Sequence, residues 1–256
     1  MEHILQHTDF SFAEIERAGR LAAQIRAQGI SKYNVGRGVF SEDTLRCVEQ
    51  ARASGKKIIL VPGQVANDAS LIKGCADICD DGELLVAVRK AAPDDFILYK
   101  PHPDVVSGNE QGYNWKNDKI ADRIVVDSDI NICLAQADAV HTMTSLTGFE
   151  ALLRGLTVVT YGGPFYAGWG LTQDRLQFSR RSRRLTLEAL VAGALIRYPR
   201  YYHYEGNRFV TPEQALLTIS QQKLEHDNSM HAKKWQRFYR KSKNLLRSFY
   251  YGIIGR

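Results

Sequence analysis

Three short segments of this 256-residue chain set polar or titratable side chains beside restricted backbone. In Lys100-Pro101-His102-Pro103 an amine and an imidazole are held by two prolines. Their fixed φ angles, and the limits they put on the preceding residue, restrict where the ring can point; an ordinary turn histidine is the alternative. Thr144-Ser145 opens an apolar stretch, so Ser145 reads as a helix N-cap. With Thr144 and the unpaired N–H groups of that helix it also reads as a phosphate site. Glu150 falls within the same stretch, among Phe149, Ala151, Leu152 and Leu153. A carboxylate there is costly unless it is partnered or simply faces water. Asp68 ends the loop Gly63-Gln64-Val65-Ala66-Asn67 and precedes Ala69-Ser70-Leu71-Ile72, which suits another N-cap. Neither a Walker loop nor a GxGxxG fingerprint is present, so no one of these motifs is specific alone.

The segments fall at the ends of short apolar runs. Lys56–Val61, Phe96–Tyr99, Ile124–Val126, Ala139–His141 and Thr157–Tyr161 read as buried strands, because they are continuously apolar rather than alternating. Helical patterns lie between most of them, at Glu83–Ala92, Asn131–Ala137 and Ser145–Arg154. Strand–helix alternation of this kind predicts an α/β fold, a Rossmann-like parallel sheet with flanking helices. Ligands of such sheets bind beyond the carboxyl ends of the strands, where these three segments sit together with a fourth, Tyr161-Gly162-Gly163-Pro164-Phe165-Tyr166. Upstream, Ser11–Gly29 reads as a helix with a Ser11/Glu14 capping box and a glycine stop. Downstream come the glycine- and aromatic-rich loop Gly162–Gly170, a basic cluster at Arg180–Arg184, and two helices, Thr186–Arg197 and Thr211–Gln222. The expected domains are an N-terminal helical segment (1–55), a Rossmann-like domain with trailing helices (56–226) and a basic tail (227–256).

Composition narrows the function classes. At 44% hydrophobic and 24% charged the chain is ordinary globular protein. No apolar run reaches the about 18 residues of a membrane span, and Met1–Phe12 carry no apolar signal region, so a cytoplasmic protein is expected. Cys47, Cys75, Cys79 and Cys133 are too scattered for a disulfide framework, and Cys75 with Cys79 makes a poor metal site. Of the 34 basic and 28 acidic residues, nine and two fall in 223–256, leaving 25 and 26 for the body. A body so balanced is not built for nucleic acid.

Taken together, these segments resemble the bacterial capsular polysaccharide β-Kdo transferases. The likeness runs from near the N-terminus to about Tyr204. It includes Ser31-Lys32-Tyr33-Asn34, the Gly63-Gln64 loop through Asp68-Ala69-Ser70, Lys100-Pro101-His102-Pro103, Thr144 through Leu152, and Gly163 through Thr172. The resemblance implies the C-terminal, donor-binding half of a GT-B transferase that takes Kdo from CMP-Kdo, with no metal and no other cofactor. His102-Pro103 and Thr144-Ser145 are similar to the family's CMP-phosphate contacts, Lys100 lies in the same matching segment, and Glu150 is similar to a ribose-binding glutamate of related CMP-sugar transferases. Cleaving a sugar from CMP builds negative charge on the phosphate, which the Ser145 helix start and His102 would stabilise. Transfer with retention needs a carboxylate nucleophile; the resemblance points to Asp68, ahead of Asp104 and Asp127. The acceptor is expected to be a lipid-linked or polysaccharide chain. Family members carry a further Rossmann-like domain before the matching stretch, so a polypeptide supplying that half is an expected partner. Two rivals follow: a non-catalytic or split subunit that binds CMP-sugar or a partner transferase, and a membrane-surface module with a vestigial transferase domain.

The tail supplies its own expectation. Trp235, Phe238, Tyr239, Leu245, Leu246, Phe249, Tyr250, Ile253 and Ile254 recur at helical spacing, with Lys234, Arg237, Arg240, Lys241, Lys243 and Arg247 between them. Residues 233–254 thus read as a basic amphipathic helix for an anionic membrane surface, which would place the protein at the inner face of the cytoplasmic membrane. Packing of the aromatic stripe on the body is the bland alternative, and RNA the least favoured. Each basic residue near an anionic leaflet contributes about 1 kcal/mol. Binding to anionic vesicles should therefore rise with anionic lipid, fall with salt and vanish when the chain after Met230 is deleted. Equal recovery of full-length and truncated protein in the supernatant at low salt would remove the membrane role.

Overall fold

A computed structural model describes residues 1–31, 39–114, 116, 119–204 and 206–228, the side chains of 224–228 excepted. The basic tail from residue 229 onward, with its membrane-facing positions 233–254, lies outside the described residues, as do Lys32, Tyr33 and Asn34. Two compact units are present, Met1–Tyr201 and a second from Tyr202.

The first unit is built on six parallel strands, β1 (Ile58–Pro62), β2 (Phe96–Lys100), β3 (Arg123–Ile124), β4 (Ala139–Thr142), β5 (Thr157–Thr160) and β6 (Gln173–Asp174). Their order is β3-β2-β1-β4-β5-β6. This is the doubly wound order whose direction reverses between β1 and β4, leaving a crevice at that switch point. The expected sheet is present. β3 is shorter and one residue earlier than Ile124–Val126, and β4 and β2 each run one residue further than their apolar runs suggest. β6 is polar and two residues long, so no hydrophobic pattern announced it.

Helices cover both faces because both faces of β1 are apolar. Ile59 and Val61 point into a core with Leu71, Leu84, Leu85, Val88, Ile97, Tyr99, Met143, Val159 and Tyr161. That core lies under α4 (Ala69–Gly74) and α5 (Asp81–Ala91). Ile58 and Leu60 face the other way and are equally buried, where α3 (Glu42–Ala53) and α7 (Ile130–Gln136) approach β1. The sequence pattern had left α3 unassigned. The short helices α1 (Glu2–His7), α6 (Pro103–Val106) and α8 (Leu146–Leu152) complete the first unit with α2 and α9.

α2 spans Phe12–Ala27 and carries the expected capping box, with Ser11 and Glu14 bonded reciprocally. It ends before Gly29, whose φ of +55° suits glycine. The stretch read as one helix over Thr186–Arg197 is instead α9 (Leu187–Val191) continued by a wider π turn, Ala192–Arg197. Leu5 seats there, and a Cβ on Gly193 would lie 2.4 Å from its Cδ2. The Arg180–Arg184 cluster is partly exposed, and several of its members staple the N-terminal segment. Arg180 and Arg181 pair with Glu2, and Arg183 donates to the Thr8 carbonyl. The second unit opens with the hairpin β7 (Tyr201–His203) and β8 (Arg208–Val210), then α10, which runs on past Gln222 to Asn228.

The Gly162–Gly170 loop is mostly interior. Tyr166, Ala167 and Trp169 have no exposed surface. Tyr166 donates to the Ser145 carbonyl at 2.5 Å, and Arg181 donates to the carbonyls of Pro164 and Ala167. α8 comes so close that a Cβ on Gly148 would sit 2.1 Å from the Tyr166 hydroxyl. Gly148→Ala should therefore lower stability by about 1–3 kcal/mol, the cost of overpacking a filled core, read as a fall in the urea midpoint. An unchanged midpoint would mean that the Tyr166 brace is slack.

Candidate functional site

A cavity of about 340 Å³ opens at the switch point. Its lining comes from the four strand-end segments: Gly63, Gln64, Asp68 and Ser70 after β1; Lys100 to Pro103 after β2; Thr144, Ser145, Thr147 and Glu150 after β4; and Phe165 after β5. Lys100, His102, Pro103, Thr144, Ser145, Glu150 and Asp68 thus meet in one place, whereas Asp104 and Asp127 are not part of the lining. Gln64, Ser70, Thr147, Ile130 and Phe165 join that lining, although their types alone gave no reason to single them out.

β2 ends in Lys100, and the chain turns at once into α6. Lys100 is 8% exposed and burial lowers its pKa, opposed by nearby Cys133, Asp129 and Asp127. Its Nζ donates to the Val126 carbonyl at 3.4 Å. His102 is the N-cap of α6, with Pro103 at the first helical position, and its Nδ1 accepts from the Asp104 N–H at 3.2 Å. An accepting Nδ1 puts the proton of the neutral ring on Nε2.

β4 includes His141 and Thr142, which removes both from the loop that follows. His141 is a core residue, its Nδ1 3.2 Å from the Tyr161 hydroxyl, and burial drives its pKa down to about 4. Ser145 caps α8, accepting from Thr147 N at 3.2 Å, while its own N–H donates to Thr142 Oγ1. Gly148 N donates to the Ser145 carbonyl and Thr144 N to Gln64 Oε1. The amides of this turn are thus largely engaged within the protein, and the Ser145 hydroxyl is bonded to the Thr147 hydroxyl at 3.2 Å. Glu150 does not face water: it is 6% exposed and lines the cavity. Asp68 is an N-cap, its Oδ1 2.8 Å from Ser70 N at the start of α4, and it also lines the cavity. Asp104 lies beside His102, with Oδ2 3.8 Å from Nδ1. Asp127 is absent from the lining.

Beneath the cavity floor lies a carboxylate with no obvious signal in the sequence. Asp81, first residue of α5, is 3% exposed. Both its oxygens are 3.0 Å from the backbone N of Gln64, and Oδ2 accepts from the Tyr99 hydroxyl at 2.8 Å. Gly63 has no room for a side chain: a Cβ would be 2.8 Å from both Asp81 Oδ2 and the Tyr99 oxygen. Burial pushes the Asp81 pKa up to about 7, although the bonds from Tyr99 and Gln64 pull it down.

Fold and cleft define a doubly wound α/β protein with a cavity at its switch point that is lined by hydroxyl and titratable side chains. The sequence carries it further: residues 4–201 match the family model described as capsule polysaccharide biosynthesis protein. The chain belongs to that family. It is 46% identical over 253 residues to the capsule polysaccharide modification protein LipA of Neisseria meningitidis serogroup B, covering 97% of this chain and 35% of LipA. It is 38% identical over 211 residues to the lipopolysaccharide-processing protein LpsZ of Rhizobium meliloti, covering 82% of this chain and 46% of LpsZ. The chain thus spans about a third to a half of these curated relatives. Among solved structures, KpsC of Thermosulfurimonas dismutans, described as a β-Kdo 2,7 transferase, matches with a TM-score of 0.69 and 38% identity over 86% of this chain and 65% of that one. A KpsC structure described as a β-Kdo 2,4 transferase matches with a TM-score of 0.73 and 30% identity over 86% and 67%.

Asp81 gives a pH signature. Its pKa is raised from 3.8, so the native state holds the proton more tightly than the unfolded chain. That contribution to stability is complete below about pH 4 and lost as pH rises through about 7. Asp81→Asn is neutral throughout, so its stability relative to wild type should rise by about 2–4 kcal/mol between pH 4.5 and 8, measured by urea unfolding. A difference that does not grow with pH would mean the carboxylate is ionised across the range.

Proposed function

We propose that the chain is the donor-binding part of a capsule polysaccharide β-Kdo transferase and that CMP-Kdo occupies the switch-point cavity. The reading rests on one observation above all. Lys100, His102, Ser145, Glu150 and Asp68 line one cavity in a chain 38% identical to a protein described as a β-Kdo transferase.

The chemistry follows from the lining. Lys100 supplies positive charge to the phosphate or to the sugar's carboxylate, and Glu150 accepts from the ribose hydroxyls. As the bond from the anomeric carbon to the CMP oxygen breaks, that oxygen gains charge. The Nε2 proton of His102 stabilises it, as does the Ser145 helix start. Asp68 attacks the anomeric carbon from the opposite face, and the acceptor hydroxyl then displaces it, so two inversions give net retention. The acceptor is a lipid-linked or polysaccharide chain, and residues 233–254 would hold the protein at an anionic membrane where such an acceptor lies.

Calorimetry should show CMP binding without added metal, weakened by about 1–3 kcal/mol in His102→Ala and in Ser145→Ala, the worth of a charge-assisted hydrogen bond. Asp68→Ala should keep CMP affinity and abolish transfer in the competent assembly. It should also lose about 0.5–2 kcal/mol of stability as a lost cap. A folded chain that binds no CMP, or turnover retained in Asp68→Ala, would overturn the corresponding assignment.

A further inference from the structure

Across the switch point the chain after β1 is tied to the chain after β4 through Gln64 and Ser70, which both bond to Thr144. Gln64 Oε1 accepts from the Thr144 N–H at 2.9 Å, and Gln64 Nε2 donates to Thr144 Oγ1 at 2.8 Å. The backbone amide can only donate, which fixes which end of the carboxamide is oxygen. The Thr144 hydroxyl therefore receives a proton from Gln64 and turns its own outward, donating to Ser70 Oγ at 3.1 Å. Ser70 N is used on Asp68. Among the described residues no acceptor is seen for the Ser70 hydroxyl proton, and Ser70 is an exposed residue lining the cavity. Gln64 itself is not free to turn, because its backbone N–H is gripped by the buried Asp81 carboxylate.

We propose that Gln64 is a positioning residue that sets a one-way hydrogen-bond relay, Gln64 to Thr144 to Ser70, and that the Ser70 hydroxyl donates to an anionic oxygen of the ligand. The inference rests on the donor-binding reading of this cavity and adds a contact to it. Thr144, with amide and hydroxyl both engaged, acts through Ser70 rather than by touching the anion. The anionic oxygen belongs to a phosphate or to the carboxylate of a sugar acid.

The test uses calorimetry on the full chain with CMP, cytidine, inorganic phosphate and free Kdo. Ser70→Ala should weaken CMP about 10-fold, one hydrogen bond to a charged group, and leave cytidine unchanged. Ser70→Thr should restore binding. Gln64→Glu keeps the shape, but its carboxylate accepts from the Thr144 hydroxyl and reverses the relay. It should cost a similar factor, and Ser70→Ala should then cost nothing more. A side chain acting only on the fold would give additive losses and equal effects on cytidine. A Ser70 effect on CMP and phosphate assigns the phosphate; one on Kdo alone assigns the carboxylate. If CMP fails to bind but phosphate or Kdo binds in a Ser70-dependent way, the relay stands and the cytidine-nucleotide reading falls. If no anion loses affinity in Ser70→Ala, or the two losses add in full, the relay is wrong.

Discussion

Where the strand order reverses, β1 and β4 are neighbours whose following segments leave toward opposite faces of the sheet. Nothing in the sheet ladder holds those two segments together beyond the strand ends. The Gln64–Thr144 pair does so, and much of the cavity's geometry depends on it. The pair is possible only because Gly63 lacks a Cβ: β1 can then run against Asp81 and Tyr99 and present the Gln64 N–H to both carboxylate oxygens. Thr144 is confined from behind as well, since a Cβ on Gly74 would lie 2.9 Å from its methyl group. A cleft that in many doubly wound proteins is only an opening between loops is here walled by mutually bonded residues.

The site keeps two ionisable side chains, Asp81 and Lys100, at 3% and 8% exposure. Burying a charge without partners is prohibitive. Asp81 meets this with bonds from Gln64 and Tyr99 and a raised pKa. Lys100 has the Val126 carbonyl and a field from Asp127 and Asp129. Fixed dipoles and charges in a partly dry cavity act more strongly on a ligand than they would in water, and they need no reorganisation when a ligand's charge changes.

Much of this was legible in the sequence, for a physical reason. Strands buried on both faces must be continuously apolar, so β1, β2, β4 and β5 declared themselves, and their ends located the site. β6 did not, because a two-residue edge strand has no need of an apolar pattern. α3 was passed over since Thr44, Val48 and Ala51 alone form its buried stripe. Asp68 and Ser145 each read as both cap and ligand residue, and the structure shows why the types alone leave that open: each caps a helix and each lines the cavity. Gln64 was not separable from its neighbours. Its importance lies in a partner 80 residues away, and a lone glutamine in a loop carries no periodicity or spacing that reveals such a bond.

The glycine- and aromatic-rich loop after β5 shows how far a specific motif can mislead about contact. Its rings and small residues are the kind that sugars and nucleotides stack on, yet Tyr166 and Trp169 are sealed inside and only Phe165 reaches the cavity. Trp169 donates to the Phe165 carbonyl, Asp174 accepts from Gly168 N, and Arg181 lies over the Phe178 ring, 4.6 Å from its centre. These bonds make the loop a rigid block. Through Tyr166 it presses on Ser145 and Gly148, so it fixes where α8 begins and hence where Ser145 and Glu150 stand. The glycines are there for close approach: the φ angles of Gly168 and Gly170 are +82° and +81°, and a Cβ on Gly168 would come within 2.7 Å of Phe178. Specificity of sequence here reflects the precision with which one loop must brace another, while most of the cavity lining comes from the shorter, plainer segments at the switch point.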